Sequence, residues 1–181
     1  IISGSEEGMI YKSVDGGKSW NSISNGLPNG ILGKIDLAVS PADPNRLYAV
    51  IEADKGLGGV YVSYDKGESF KAMNHREELV NRPFYYCNIY ANPNNADIIY
   101  SNANRFMISK DAGKTWDIKS TPHGDNHDIW INPNHENTWI QSNDGGVNIT
   151  FNSGKTWTSQ FNQPTAEIYQ VEVDNQYPYW L

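Results

Sequence analysis

Two imidazoles and two carboxylates fall within one six-residue stretch, HGDNHD, as His123, Asp125, His127 and Asp128. In an extended loop alternate side chains share a side, so His123, Asp125 and His127 could converge on a divalent ion, and imidazole with carboxylate suits zinc or a similar metal. The same groups could instead contact a ligand, do acid-base chemistry, or order their own loop through His-Asp hydrogen bonds. No cofactor other than that metal is expected. A second chemistry needs only carboxylates: glycoside hydrolysis uses two of them, about 5 to 9.5 Å apart. Asp36, Asp125, Asp128 and Glu167 are the candidates, and sequence does not pair them. Arg82, Tyr85 and Tyr86 add a cation and two aromatic faces that could hold a sugar or peptide, or could simply pack their loop with Arg82 on a neighbouring carboxylate.

Three Gly-Lys-Ser/Thr triplets, beginning at Gly17, Gly113 and Gly154, resemble the end of a phosphate-binding loop. That loop needs a second glycine five residues earlier so that backbone N–H groups can curl around a phosphate ahead of a helix. Lys12, Ile108 and Ile149 occupy those places, and no amphipathic helix follows. The triplets therefore belong to something else.

The elements that must position these residues are strands and turns. Six Trp and eleven Tyr accompany short apolar runs separated by Asn, Gly and Pro, and the clearest helical stretch, HREELVNR at 75 to 82, reads as a turn inside a loop. With 181 residues, 38% hydrophobic and 19% charged, the chain is long enough for a compact domain and is not of disordered composition. A net charge of −7 and four dispersed Arg exclude a nucleic-acid groove. No apolar run approaches the roughly 18 to 20 residues of a membrane span, and no signal peptide is visible at the start. Cys87 is the single cysteine, so no internal disulfide can form, and FYYCNIY places it in a buried strand.

One octapeptide recurs four times, as SVDGGKSW at 13 to 20, SYDKGESF at 63 to 70, SKDAGKTW at 109 to 116 and TFNSGKTW at 150 to 157. Spacings of 50, 46 and 41 residues between Asp15, Asp65, Asp111 and Asn152 match propeller blades of four antiparallel strands. Ahead of each later copy stand an alternating strand, a Pro/Asn turn and another strand, so a unit reads A, turn, B, loop, C, octapeptide, D. For the second unit A falls at 35 to 40, B at 46 to 52, C at 59 to 64 and D at 68 to 73. The expected architecture is all-β: an incomplete propeller with a partial blade at 1–28, blades at 29–75, 76–121 and 122–163, and the start of another at 164–181. Such a stack does not close, so the chain is read as a fragment of a longer protein or one of several chains completing the ring.

The pattern Ser/Thr-x-Asp-x-Gly-x-Ser/Thr-Trp/Phe resembles the Asp-box, or BNR repeat, of sialidases, sortilin-type receptors and related propellers. Its members here are Ser13, Asp15, Gly17 and Trp20; Ser63, Asp65, Gly67 and Phe70; Ser109, Asp111, Gly113 and Trp116; and Thr150, Asn152, Gly154 and Trp157. Physically it is a hairpin clasp: the carboxylate accepts backbone N–H groups, the glycine takes a left-handed conformation, and the aromatic fills the gap beside neighbouring strands. Asn152 keeps an acceptor but no charge, which suits a turn cap and would disable a catalytic acid. Nearly the whole chain, through GLPNGILGKIDLAVSPADPNRLYAVIEA, HGDNHDIWINPNHENTWIQSNDGGV and NQPTAEIYQVEVDNQYPY, is similar to large secreted bacterial propeller proteins labelled glycosyl hydrolase or sortilin-like. That resemblance implies export or a cell-surface location.

Propeller loops joining D to the next A, and B to C, share the face used for binding, while A-to-B turns and clasps share the other. The D-to-A loops lie at 24 to 34, 74 to 86, 120 to 128 and 161 to 167. Asp36, Arg82, Tyr85, Tyr86, His123, Asp125, His127, Asp128 and Glu167 all fall on the first face, and His135 on the second. No complete catalytic constellation is visible, so a glycan- or peptide-binding module or scaffold is favoured over a glycosidase. Asn148-Ile149-Thr150 is a formal glycosylation acceptor.

Overall fold

The structure is a computed structural model that describes residues 2–3, 8–161 and 172–178. Fourteen strands among them form four antiparallel sheets. The first sheet contains β1 (Ile2–Ser3), β2 (Met9–Lys12) and β3 (Asn21–Ile23). In the second, β4 (Leu32–Val39), β5 (Leu47–Ala53), β6 (Gly59–Ser63) and β7 (Lys71–Asn74) follow one another in chain order. The third repeats this with β8 (Asn88–Ala91), β9 (Ile99–Asn102), β10 (Phe106–Ser109) and β11 (Asp117–Lys119). The fourth holds β12 (Asn126–Ile131), β13 (Trp139–Asn143) and β14 (Gly146–Thr150). The second and third are complete four-stranded meanders of propeller blades, and the first and fourth have three strands each among the described residues.

Successive sheets pack face to face, and this explains why the middle strands read as unbroken apolar runs. Alternate residues of a strand point to opposite faces. On β5, Tyr48 and Val50 enter a core shared with Ile89, Ile99 and Met107 of the third sheet, while Ala49 and Ile51 enter one shared with Ile10 of the first. On β10, Met107 joins the former core, while Phe106 and Ile108 pack with Ile129, Ile131 and Trp139 of the fourth sheet.

Each octapeptide closes the hairpin after a C strand by the same bonds. The Asp15, Asp65 and Asp111 Oδ1 atoms accept the N–H of Ser19, Ser69 and Thr115 at 2.9, 3.0 and 2.9 Å, and Asn152 Oδ1 accepts that of Thr156 at 2.9 Å. The leading hydroxyl accepts the glycine N–H at 2.8 Å in the first three copies and 3.0 Å in the fourth. Gly17, Gly67, Gly113 and Gly154 all have positive φ, between 77 and 90°. The residue before each is left-handed too, and at Lys66, Ala112 and Ser153 this aims its N–H at Asn45, Asp97 and Asn137 carbonyls, 2.9 to 3.0 Å away, in the A-to-B turns. Clasps and A-to-B turns thus share one end of the sheets. Phe70 and Trp116 are buried, whereas Trp20 is exposed.

Several expectations need correction. Cys87 is buried but precedes β8 instead of lying in a strand. HREELVNR, by contrast, is a turn inside a loop as expected, a 3-10 turn at Glu77–Leu79. The fourth sheet has three strands, its D segment contributing the Thr158 N–H to the Ile149 carbonyl at 2.9 Å. Asn148 is fully buried, with Nδ2 on the Thr158 carbonyl, so it cannot accept a glycan. Most of 164–181 lies outside the described residues. No helix of the described residues is long and apolar enough to cross a membrane.

Candidate ligand-binding face

At the opposite end from the clasps, the loop before β8, the loop before β12 and the turns β9–β10 and β13–β14 meet around Asp125. One oxygen of its carboxylate, Oδ1, accepts Arg82 Nη1 at 2.8 Å, Asn104 Nδ2 at 3.2 Å and the Tyr86 hydroxyl. Its backbone is engaged as well: its N–H donates to the Asn104 carbonyl at 3.2 Å, and its carbonyl accepts the Asp144 N–H at 3.3 Å. The hydrogen bond from Tyr86, together with the Arg82 charge, holds the Asp125 carboxyl below the usual carboxylate range. Burial and the facing Asp125 push the Tyr86 phenol well above its ordinary value.

His127 Nε2 meets Asp144 Oδ1 at 2.6 Å. Its ring lies against Tyr86, 4.7 Å between centroids, and edge-on to Tyr85 at 6.0 Å. Tyr86 is buried, but Tyr85 is 55% and its neighbour Phe84 83% exposed, so an aromatic surface stays open beside the polar cluster. Lys34 reaches over from the second sheet, Nζ donating to the Tyr85 carbonyl at 3.2 Å.

His123, Asp125 and His127 do not converge as a metal triad. Asp125 has φ +53°, and the β12–β13 register slips between Asn126 and Asp128, so the alternation needed to put the three side chains together is broken. His123 Nδ1 lies 3.0 Å from the Gly124 carbonyl, and among the described residues no group of three His, Cys, Asp or Glu is arranged to hold a metal. Asp36 and Asp128 each precede their strand-ending turn, Ser40-Pro41 or Asn132-Pro133, by four residues, with Asn88 at the same place on the sheet between. Asp36 Oδ2 accepts the Ile89 N–H at 2.9 Å, and Asp128 Oδ1 that of Ile129 at 2.7 Å. Among the described residues, every carboxylate with a displaced pKa, namely Asp15, Asp65, Glu78, Asp111 and Asp125, is displaced downward. Glu167 lies outside the described residues. His135 is exposed in the A-to-B turn at the clasp end.

Sequence reasoning missed Asn104 and Asp144. Asp144 sits in NDGG, which reads as a hairpin turn and so hides a side chain that reaches His127.

The sheet order and packing define the chain as propeller blades, and comparison with known proteins agrees. No protein-family profile matches it. An oligoxyloglucan-reducing end-specific xyloglucanase of Emericella nidulans is 23% identical over 91% of this chain and 24% of its own length. The chain therefore spans about a quarter of that curated relative. An ancestral GH74 enzyme superposes with a TM-score of 0.62 at 18% identity, covering 86% of this chain and 22% of that one. YCF48 bound to D1 peptide gives 0.55 at 18%, covering 86% and 48%. The shared feature is the propeller fold.

Proposed function

We propose that this chain is a ligand-binding or scaffold segment of an extracellular propeller, secreted or at the cell surface, and that the face bearing Arg82, Tyr85, Tyr86, His123, Asp125 and His127 holds a glycan or peptide. Its octapeptides are Asp-boxes with a structural role. Its blades divide at 1–28, 29–75, 76–121, 122–163 and 164–181, the remaining blades coming from the same protein or from partner chains. The observation that carries the reading is that Asp125 is held through Oδ1 by Arg82, Tyr86 and Asn104 while Tyr85 and Phe84 stay open beside it. A carboxylate so held is a poor proton donor, whereas fixed polar groups beside bare aromatic rings suit recognition. Isothermal titration of the full-length protein with xyloglucan oligosaccharides, cellotetraose and peptides tests it. Saturable binding that Tyr85→Ala weakens is expected, and binding indifferent to Tyr85 and Arg82 overturns it.

A glycoside hydrolase is the second reading, favoured by the xyloglucanase relative, which matches 91% of this chain. In it Asp36, Asp125, Asp128 or Glu167 would pair with a carboxylate from another blade. Release of reducing ends from xyloglucan, abolished by Asp128→Asn or Asp36→Asn, would establish it over pure binding.

A further inference from the structure

We propose that Asp144 is a positioning residue that holds the His127 imidazole with its Nε2 proton on the carboxylate, so that Nδ1 is presented as a hydrogen-bond acceptor to a neutral, hydroxyl-rich ligand, a carbohydrate. The proposal rests on the reading of this face as a binding site and names its ligand class.

A carboxylate only accepts, so the 2.6 Å contact with Asp144 Oδ1 places the proton of a neutral His127 on Nε2 and leaves a lone pair on Nδ1. Nδ1 has no partner among the described residues, and the side chain is 34% exposed. Tyr86 and Tyr85 fix the plane of the ring from two sides.

The backbone that carries Asp144 is itself tied down. Its N–H donates to the Asp125 carbonyl at 3.3 Å, and the next N–H, of Gly145, to Asn143 Oδ1 at 3.0 Å. Asn143 is buried and also bonds Gln141 Oε1 at 2.9 Å, Asn148 Oδ1 at 3.1 Å and Gln160 Nε2 at 2.7 Å. A Cβ on Gly145 would come within 2.5 Å of Gln160 Oε1 and 2.9 Å of His123 Cβ, so the turn has one tight seating. Connected polar networks of this kind rigidify what they carry.

The ligand class follows from what the face offers. The Arg82 charge is paired with Asp125, Asp144 adds another carboxylate beside His127, and the nearby Lys34 Nζ is turned onto the Tyr85 carbonyl, so the groups around Nδ1 favour a neutral ligand over an anion. The exposed rings of Phe84 and Tyr85 suit the C–H faces of a pyranose, and a ring hydroxyl supplies the proton that Nδ1 lacks.

Nitrogen-15 NMR of imidazole-labelled protein, with titration by cellotetraose, tests the assignment. The wild type is expected to show neutral His127 as the Nε2–H tautomer. Asp144→Ala should mix the tautomers and weaken cellotetraose binding about three- to tenfold, the size of one net hydrogen bond. Should Asp144→Ala not fold, Asp144→Asn serves, because its amide can donate to Nε2 and drive His127 to the Nδ1–H form. Tyr85→Ala should weaken binding and leave the tautomer alone. An Nδ1–H wild type, or a variant at Asp144 that keeps both tautomer and affinity, overturns the proposal. Loss of affinity in Tyr85→Ala without loss at Asp144 sinks it while sparing the binding face. No saccharide binding by any form brings the glycan reading down as well, and tighter binding of oligogalacturonate or of a peptide overturns the ligand class.

Discussion

Arg82 and Asp125 meet at 2.8 Å across the boundary between the third and fourth sheets, tying the loop that enters β8 to the loop that enters β12. Tyr86 and Asn104 bind the same oxygen, so one carboxylate joins three segments of chain.

Asp125→Ala therefore removes the acceptor of three donors and strands the buried Tyr86 hydroxyl. A loss of about 2 kcal/mol is expected, the scale of leaving such groups unpaired. Asp125→Asn keeps an acceptor and tolerates the left-handed backbone, so it should cost less than half of that. Urea denaturation of the two variants beside wild type checks the order, and equal losses would contradict it.

Acid sensitivity follows from the same carboxylate and from the clasps. Hydrogen bonds from Ser19 and Ser69 lower Asp15 and Asp65 to about 2, and the Tyr86 bond lowers Asp125. Each folded pKa is below the unfolded value of roughly 3.9, so the stabilisation is complete above that pH and fades as pH falls through the folded values. Tm should stay level from pH 7 to about 5 as far as these groups are concerned, then decline toward pH 2. Carboxyl carbon NMR should find Asp15 and Asp65 midpoints near 2. Asp65→Asn, which copies the arrangement at Asn152, should flatten part of the decline and lower Tm less than Asp65→Ala.

The blades were legible because their determinants are local. Each octapeptide carries its own acceptor, left-handed glycine and hydroxyl, and recurs once per sheet, so period and turn chemistry together imply the architecture. The binding face was legible only as a set of loops. Alternation suggested that His123, Asp125 and His127 share a side, but a positive φ at Asp125 and a bulge beyond it send them to different partners. Asp144 could not be found from its neighbours because its partner, His127, is 17 positions away and only the β12–β13 pairing brings them together.

Gly26 marks the tightest approach between the first and second sheets. It has φ +77°, and a Cβ there would lie 1.7 Å from the Phe70 carbonyl oxygen, whose residue also donates its N–H to the Asn25 carbonyl at 2.9 Å. Gly30 has φ +108° with nothing within 4 Å. Gly26→Ala should cost about 3 kcal/mol or more, from a backbone clash added to left-handed strain, whereas Gly30→Ala should cost only the strain, about 1 to 2 kcal/mol. Thermal unfolding of the two variants separates the contributions, and similar shifts would show that the loop at 24 to 34 gives way freely.

The buried amides beneath the β13–β14 turn link stability to the binding face. Asn143 uses both ends of its side chain, accepting from Gly145 N–H and Gln160 Nε2 and donating to Gln141 and Asn148. Asn143→Leu keeps the branched shape but is bulkier and leaves those four partners without it in the interior, and a half-satisfied network is worse than an apolar one. A loss of about 2 to 4 kcal/mol is expected, and Gln141→Leu should couple to it non-additively because the two side chains are bonded. The turn carrying Asp144 loses its anchor at the same time, so saccharide affinity should fall in Asn143→Leu even at temperatures where the variant remains folded. A double-mutant cycle by denaturation, with titration of each variant below its unfolding transition, measures both effects; additive losses with unchanged affinity would show that the network supports the core alone.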